Sequence, residues 1–144
     1  RALWAIEELA RGSGVPTLAL RLGPVVAPEL PLWRRLARCG RLPRGGTKLV
    51  NPVTLADAIE TLRRAFAIEA AWEGWYEVAG AEAWSLAELA AAARDTASAG
   101  PAAWEPPLAE LLEHRLAECG PWLERFRLAP HALSHEVRGW RRAA

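Results

Sequence analysis

Over the first dozen residues Leu3, Ile6 and Ala10 recur at helical spacing against Glu7, Glu8 and Arg11, a pattern that predicts an amphipathic helix over 2–12. Gly12 and Gly14 end it. The alternation then stops: Thr17, Leu18, Ala19 and Leu20 form a short run bounded by turn residues, as expected of a strand covered on both faces in a parallel sheet. Its carboxyl end opens into Leu22-Gly23-Pro24-Val25-Val26-Ala27-Pro28, at the sheet edge where open α/β folds hold their ligands. The stretch from Gly14 to Pro28 is the one around which the rest of the chain is organised.

Helical spacing returns at Leu32, Trp33 and Leu36, with Arg34, Arg35 and Arg38 on another face, so 30–39 reads as a short helix and the glycine-rich 40–46 as a loop. Residues 47–53 read as a strand that Pro52 confines to an edge or an end. Thr54-Leu55-Ala56-Asp57 has the spacing of a helix cap, after which Ala58, Ile59, Leu62 and Phe66 carry the apolar face. Trp75 to Ala79 reads as a strand ended by Gly80, and Ser85-Leu86-Ala87-Glu88 as a capping box that opens a helix to Ala93. Residues 97–107 are rich in Ala, Gly and Pro and separate a helical last third. That third is expected to hold helices over 108–118 and 122–128, broken at Gly120-Pro121, and a final one capped by Ser134 and ending at Gly139-Trp140.

With 144 residues, about half of them apolar, one domain with a real core is expected. The net charge of +1 leaves no electrostatic footprint for nucleic acid. No apolar run approaches the roughly 20 residues of a spanning helix, and no signal-peptide pattern is present, so a cytoplasmic protein is expected. Cys39 and Cys119 are too few and too far apart for a disulfide framework. The eight tryptophans are scattered singly, a distribution that suits core and inter-layer packing.

The run Glu7 to Pro16 followed by Leu20-Arg21-Leu22-Gly23-Pro24-Val25-Val26-Ala27-Pro28 resembles the second half of the extended short-chain dehydrogenase/reductase family. This NAD(P)-dependent epimerase/dehydratase group has a pattern of roughly Glu-x-x-x-x-x-Ser-Gly-(Leu/Val), a strand, then Arg-Pro-x-x-x-Tyr-Gly-Pro. Val50 to Ile59, Trp75 to Gly80 with Ser85 to Leu89, and Leu133-Ser134 to Gly139-Trp140 follow in the family's order. The resemblance implies an α/β fold: the C-terminal part of a doubly wound, Rossmann-like parallel sheet with a small, mostly helical substrate-binding cap. Residues 1–100 would belong to the sheet domain with its substrate-loop insertions, and 101–144 to the cap. NAD or NADP would be held mainly by an N-terminal half carrying Gly-x-x-Gly-x-x-Gly and the catalytic tyrosine. The opening Arg1 and the absence of methionine lead to the same expectation of a longer parent chain, whose true C-terminus is present here.

On this segment the resemblance implies a cofactor-side wall at Leu22, Gly23, Pro24 and Val25, and a substrate side at Arg44 and Lys48, the latter the only lysine. The partner would be a small-molecule substrate, with room for a homodimer. No catalytic residue and no metal ligand is expected within the segment. The family's catalytic lysine falls on Leu3, which would neither hold a ribose nor lower a tyrosine pKa. Leu22 stands in place of proline, Pro24 in place of a substrate-touching asparagine, and Val53-Thr54 in place of Asp-Asp. Three readings follow: an atypical oxidoreductase or epimerase, an inactive relative that senses a dinucleotide or scaffolds a partner, and a separate helical interaction module beginning near Pro101. His131-x-x-x-His135-Glu136 lacks the order of a zinc protease, Ser134 beside His135 makes no triad, and His114 lies among glutamates, so all three histidines read as surface residues.

Overall fold

The computed structural model describes residues 2–67, 73–100, 108 and 116–143. Helix α1 (Ala2–Gly12) leads through Gly14, in the left-handed region at φ 73°, to β1 (Ala19–Leu22) and, after Gly23-Pro24, to β2 (Val25–Val26). Helix α2 (Pro31–Arg38) starts on a proline, whose missing N–H is no loss in a first turn. A short 3-10 turn, Pro43–Gly46, precedes β3 (Leu49–Val50), β4 (Val53–Thr54) and α3 (Leu55–Ala67). Then come β5 (Trp75–Val78), β6 (Trp84–Ser85), α4 (Leu86–Thr96), α5 (Gly120–Phe126) and α6 (Leu133–Ala143).

β1 and β5 pair in parallel, with Ala19 opposite Trp75 and Leu22 opposite Val78. β2 and β4 also pair in parallel, whereas β3 and β6 pair antiparallel. The strand expected over 47–53 is thus two strands with different partners. Pro52 has no N–H to donate and is buried where the chain crosses between them.

Two apolar clusters hold the layers. One gathers Val26, Val50, Trp33 and Leu36 of α2, Leu86, Leu89 and Ala93 of α4, Leu108, and Leu133 and Val137 of α6. The rings of Trp33 and Trp140 meet edge to face at 5.6 Å. The other gathers Val53, Ala65, Val78, Trp122 and Phe126, with Tyr76 edge-on to Phe126 at 5.4 Å. The expected capping box is present: Glu88 N–H donates to Ser85 Oγ, and Ser85 N–H donates to the Glu88 carboxylate.

Several expectations are corrected. β1 is only half-buried, because among the described residues it has β5 on one edge and nothing on the other. In α1 the residues that turn inward are Glu7 and Ala10, while Trp4, Ile6 and Leu9 are exposed. α3 buries Asp57, Ala58, Thr61 and Ala65 and exposes Ile59, Leu62 and Phe66. Trp33 and Trp122 are core residues as expected, yet Trp4 and Trp75 are at least half exposed. The helix expected over 122–128 is α5, which starts earlier, at Gly120, since proline suits the first turn, and ends at Phe126. α6 begins before Ser134, whose hydroxyl serves Glu82 instead of a cap, and continues through Gly139 to Ala143. Of the helix expected over 108–118, residues 109–115 lie outside the described residues and 116–118 are not helical. The start proposed for a separate module, Pro101, and His114 also lie outside them.

Candidate functional site

The carboxyl ends of β1 and β5 meet the start of β4 in one backbone knot. Gly23 N–H donates to Val78 O at 2.8 Å, and Val53 N–H donates to Pro24 O at 2.9 Å, so the loop after β1 is bonded to the end of β5 and to the first residue of β4. A Cβ on Gly23 would lie 2.7 Å from Asn51 O, so glycine is required there by the approach of a protein carbonyl. The polar backbone of this loop is largely used by the fold. Pro24 is buried, and Leu22 is 39% exposed. What Leu22–Val25 can offer a dinucleotide is an apolar wall, which fits the flank of a ring and supplies no phosphate contact.

Arg44 and Lys48 lie on a different loop. Arg44 is exposed and sits at φ 48°, ψ 37°, a left-handed conformation that side chains disfavour. The loop is braced against α4: a Cβ on Gly46 would lie 3.0 Å from Ala87 Cβ, and Leu86 N–H donates to Lys48 O. Among the described residues no hydrogen bond joins this loop to Leu22–Val25. The two sets of residues singled out in the sequence are therefore separately anchored.

Two carboxylates, buried Asp57 and half-buried Glu82, carry the tighter geometry; the sequence pointed to Asp57 only as part of a helix cap and to Glu82 not at all. Asp57 is 3% exposed at the start of α3; its Oδ2 accepts from Thr54 Oγ and from the N–H of His131, and its Oδ1 lies 2.6 Å from His131 Nδ1. The Asp57 hydrogen bond and charge raise the His131 pKa above 6.5, with burial opposing and Glu136 assisting. Glu82 accepts from Ser134 N–H at 2.8 Å, Ser134 Oγ at 2.6 Å and Trp84 Nε1 at 3.1 Å. Burial pushes the Glu82 carboxyl up, but these hydrogen bonds outweigh it and hold the group below its ordinary value. Asn51 donates to Glu82 O and accepts from Ala117 N–H. His131 is thus no idle surface histidine. Its partner stands 74 residues away, a separation no local spacing could signal.

At the opposite, amino ends of β1 and β5 lies an open depression of about 470 Å³ lined by Glu7, Arg11, Thr17 and Glu73. There Glu7 clamps Arg21 in a bidentate pair at 2.6 to 3.2 Å, and the guanidinium lies 4.4 Å from the centre of the Trp75 ring. A second depression of about 360 Å³ lies between Trp75, Tyr76 and Leu116. Neither touches the residues picked out as ligand-binding. No group of three metal-ligating side chains occurs among the described residues, and no helix among them is long and apolar enough to cross a membrane.

This arrangement matches solved structures. UDP-glucuronic acid 4-epimerase from Bacillus cereus, in complex with UDP-glucuronic acid and NAD, superimposes with a TM-score of 0.66 at 13% identity, over 94% of this chain and 47% of its own. The chain has the fold of part of an epimerase. UDP-glucose 4-epimerase from Thermotoga maritima gives 0.62 at 14% identity, over 96% and 49%. ADP-L-glycero-D-manno-heptose-6-epimerase from Helicobacter pylori gives 0.60 at 16%, over 93% and 46%. The chain spans about half the length of these epimerases. No protein-family profile and no curated protein matches its sequence. The resemblance to the extended short-chain dehydrogenase/reductase family holds at the level of the epimerase fold.

Proposed function

We propose that the chain is the C-terminal, substrate-side portion of an atypical NAD(P)-dependent epimerase, dehydratase or reductase of the extended short-chain dehydrogenase/reductase family. The observation that carries this reading is the side of the fold left uncovered. β1 has a single strand partner among the described residues, and the helices that precede β1 and β5 expose Trp4, Ile6, Leu9, Ile59 and Leu62. A bare strand edge and large apolar side chains in water are both relieved when further strands and helices pack alongside. In the epimerases of the same fold, the part matched here is about half of the chain, which leaves a half of suitable size for that cover.

In this reading the N-terminal half binds the dinucleotide and carries the tyrosine, and Leu22 and Val25 stand as an apolar wall beside it. The cofactor, when bound, supplies hydride transfer. Arg44 and Lys48 meet the phosphates of a nucleotide-sugar substrate, by analogy with the UDP-glucuronic acid complex. Residues 1–100 belong to the sheet domain, 101–144 to the cap, and the protein is cytoplasmic. The test is the reading frame upstream of Arg1 and the polypeptide it encodes. A glycine-rich Gly-x-x-Gly-x-x-Gly turn after a strand, a tyrosine four residues before Leu3, and calorimetric binding of NAD(H) or NADP(H) are expected. A folded polypeptide that binds neither cofactor sinks the reading.

Leu3, where the family has lysine, favours a second reading in which the fold is kept and catalysis is lost. Leu3→Lys in the longer polypeptide separates the two. A scaffold gains no turnover, whereas a large gain marks a damaged enzyme.

A further inference from the structure

The start of α6 and the segment before it are tied down by two carboxylates, one through a serine and one through a histidine. Glu82, from the β5–β6 connection, holds Ser134 through its hydroxyl and its N–H and faces no histidine bond. Asp57, from the first turn of α3, holds His131 through its N–H and its ring. Asp57 is itself buried and pinned by the Thr54 hydroxyl, next to β2, whereas the His131 side chain is 58% exposed and open to exchange with solvent. Among the described residues, the charged groups that act on the ring are Asp57 from α3 and Glu136 from α6. Arg64, two turns along α3, is occupied by the carbonyls of Phe126 and Arg127 at the end of α5.

We propose that Asp57 and His131 form a proton-operated latch, in which protonated His131 fastens the 128–133 segment to the start of α3 and loss of the proton loosens it. The Glu82–Ser134 bonds keep α6 itself anchored, so the opening is local. A neutral imidazole still donates one hydrogen bond from Nδ1, but the charge-assisted part of the interaction is gone. Because the folded pKa is raised, the fastening is complete below about 6.5 and is lost as pH rises through the higher folded value. The latch stands on these contacts alone and does not depend on the family reading. Asp57 is bonded to Thr54 of β4, and the preceding residue Val53 donates to Pro24 O, so the latch stands close to the loop after β1.

The test is NMR on the 144-residue chain, following the histidine ring signals and amide exchange across the pH range around the histidine value. His131→Gln assigns the ring signal against His114 and His135, and keeps a neutral side chain at an exposed position. The expected result is a His131 midpoint above 6.5. With it comes a loss of protection at 128–133 as pH rises, beyond the intrinsic rise common to all amides, while the Ser134 amide held by Glu82 and the amides of α2 and α4 follow the intrinsic rise alone. In His131→Gln that extra loss disappears. A His131 midpoint at or below the ordinary histidine value, or the same extra loss in His131→Gln, overturns the latch.

Discussion

Gly80 and Pro52 are in direct backbone contact: a Cβ built on Gly80 would lie 2.0 Å from the Pro52 carbonyl oxygen. The contact joins the end of β5 to the turn between β3 and β4, at the same edge as Gly23 and Asn51. Gly80→Ala must push these connections apart and is expected to cost about 3 kcal/mol or more, above the usual range for overpacking, because the obstacle is main chain and cannot rotate away. A methyl group on Gly12 would meet nothing within 4 Å, so Gly12→Ala at the end of α1 serves as the control. Urea midpoints compare the two; equal midpoints would refute the contact.

Trp33 Nε1 donates to Thr96 Oγ at 2.9 Å with both side chains buried. Thr96→Val keeps the shape and leaves the indole N–H without its partner, an expected loss of about 1–3 kcal/mol. Thermal unfolding measures it, and near-ultraviolet circular dichroism reports the altered Trp33 environment. An unchanged midpoint would mean that the indole finds water instead.

The Glu82 carboxyl is held below its ordinary value, so its contribution is present above about 4.5 and lost as pH falls through the depressed folded value. Glu82→Gln should flatten that acid limb of the stability curve and weaken the hold on Ser134 at neutral pH. If wild type and variant lose stability in parallel on acidification, the carboxylate is not the group responsible.

Arg44 occupies a left-handed conformation that glycine adopts without penalty. Arg44→Gly is expected to raise stability by up to about 1 kcal/mol. On the proposed substrate-side reading, the same change in a longer polypeptide should weaken nucleotide-sugar binding while the fold gains stability. A variant that binds as well as wild type would remove Arg44 from the substrate side.

What could be read from the chain alone was whatever depends on residues close in sequence. The Ser85–Glu88 capping box and the Thr54 cap are bonds between residues three apart, and both are present as expected. The strand expected over 75–79 is β5, and the one expected over 17–20 is β1, displaced by two residues to Ala19–Leu22. The ordered motifs from Glu7 to Trp140 carried the epimerase fold even though no single one is specific.

Tertiary contact decided the rest, because facing and pairing depend on what else is folded beside an element. Periodicity located α1 and α3 but set their faces only in part: Ala10 and Ala58 turn inward as expected, while Glu7 turns in to reach Arg21 and Thr61 turns in to accept from Trp122 Nε1. The bulky members of the expected stripes, Ile6 in α1 and Ile59, Leu62 and Phe66 in α3, are left outside. The single run 47–53 became two strands because Val50 and Val53 find partners in different parts of the chain. His131 and Ser134 acquired their roles only when folding brought Asp57 and Glu82 to them across 74 and 52 residues. A sequence states which groups are available; burial decides which of them must find each other, since a carboxylate removed from water is stable only with donors close at hand.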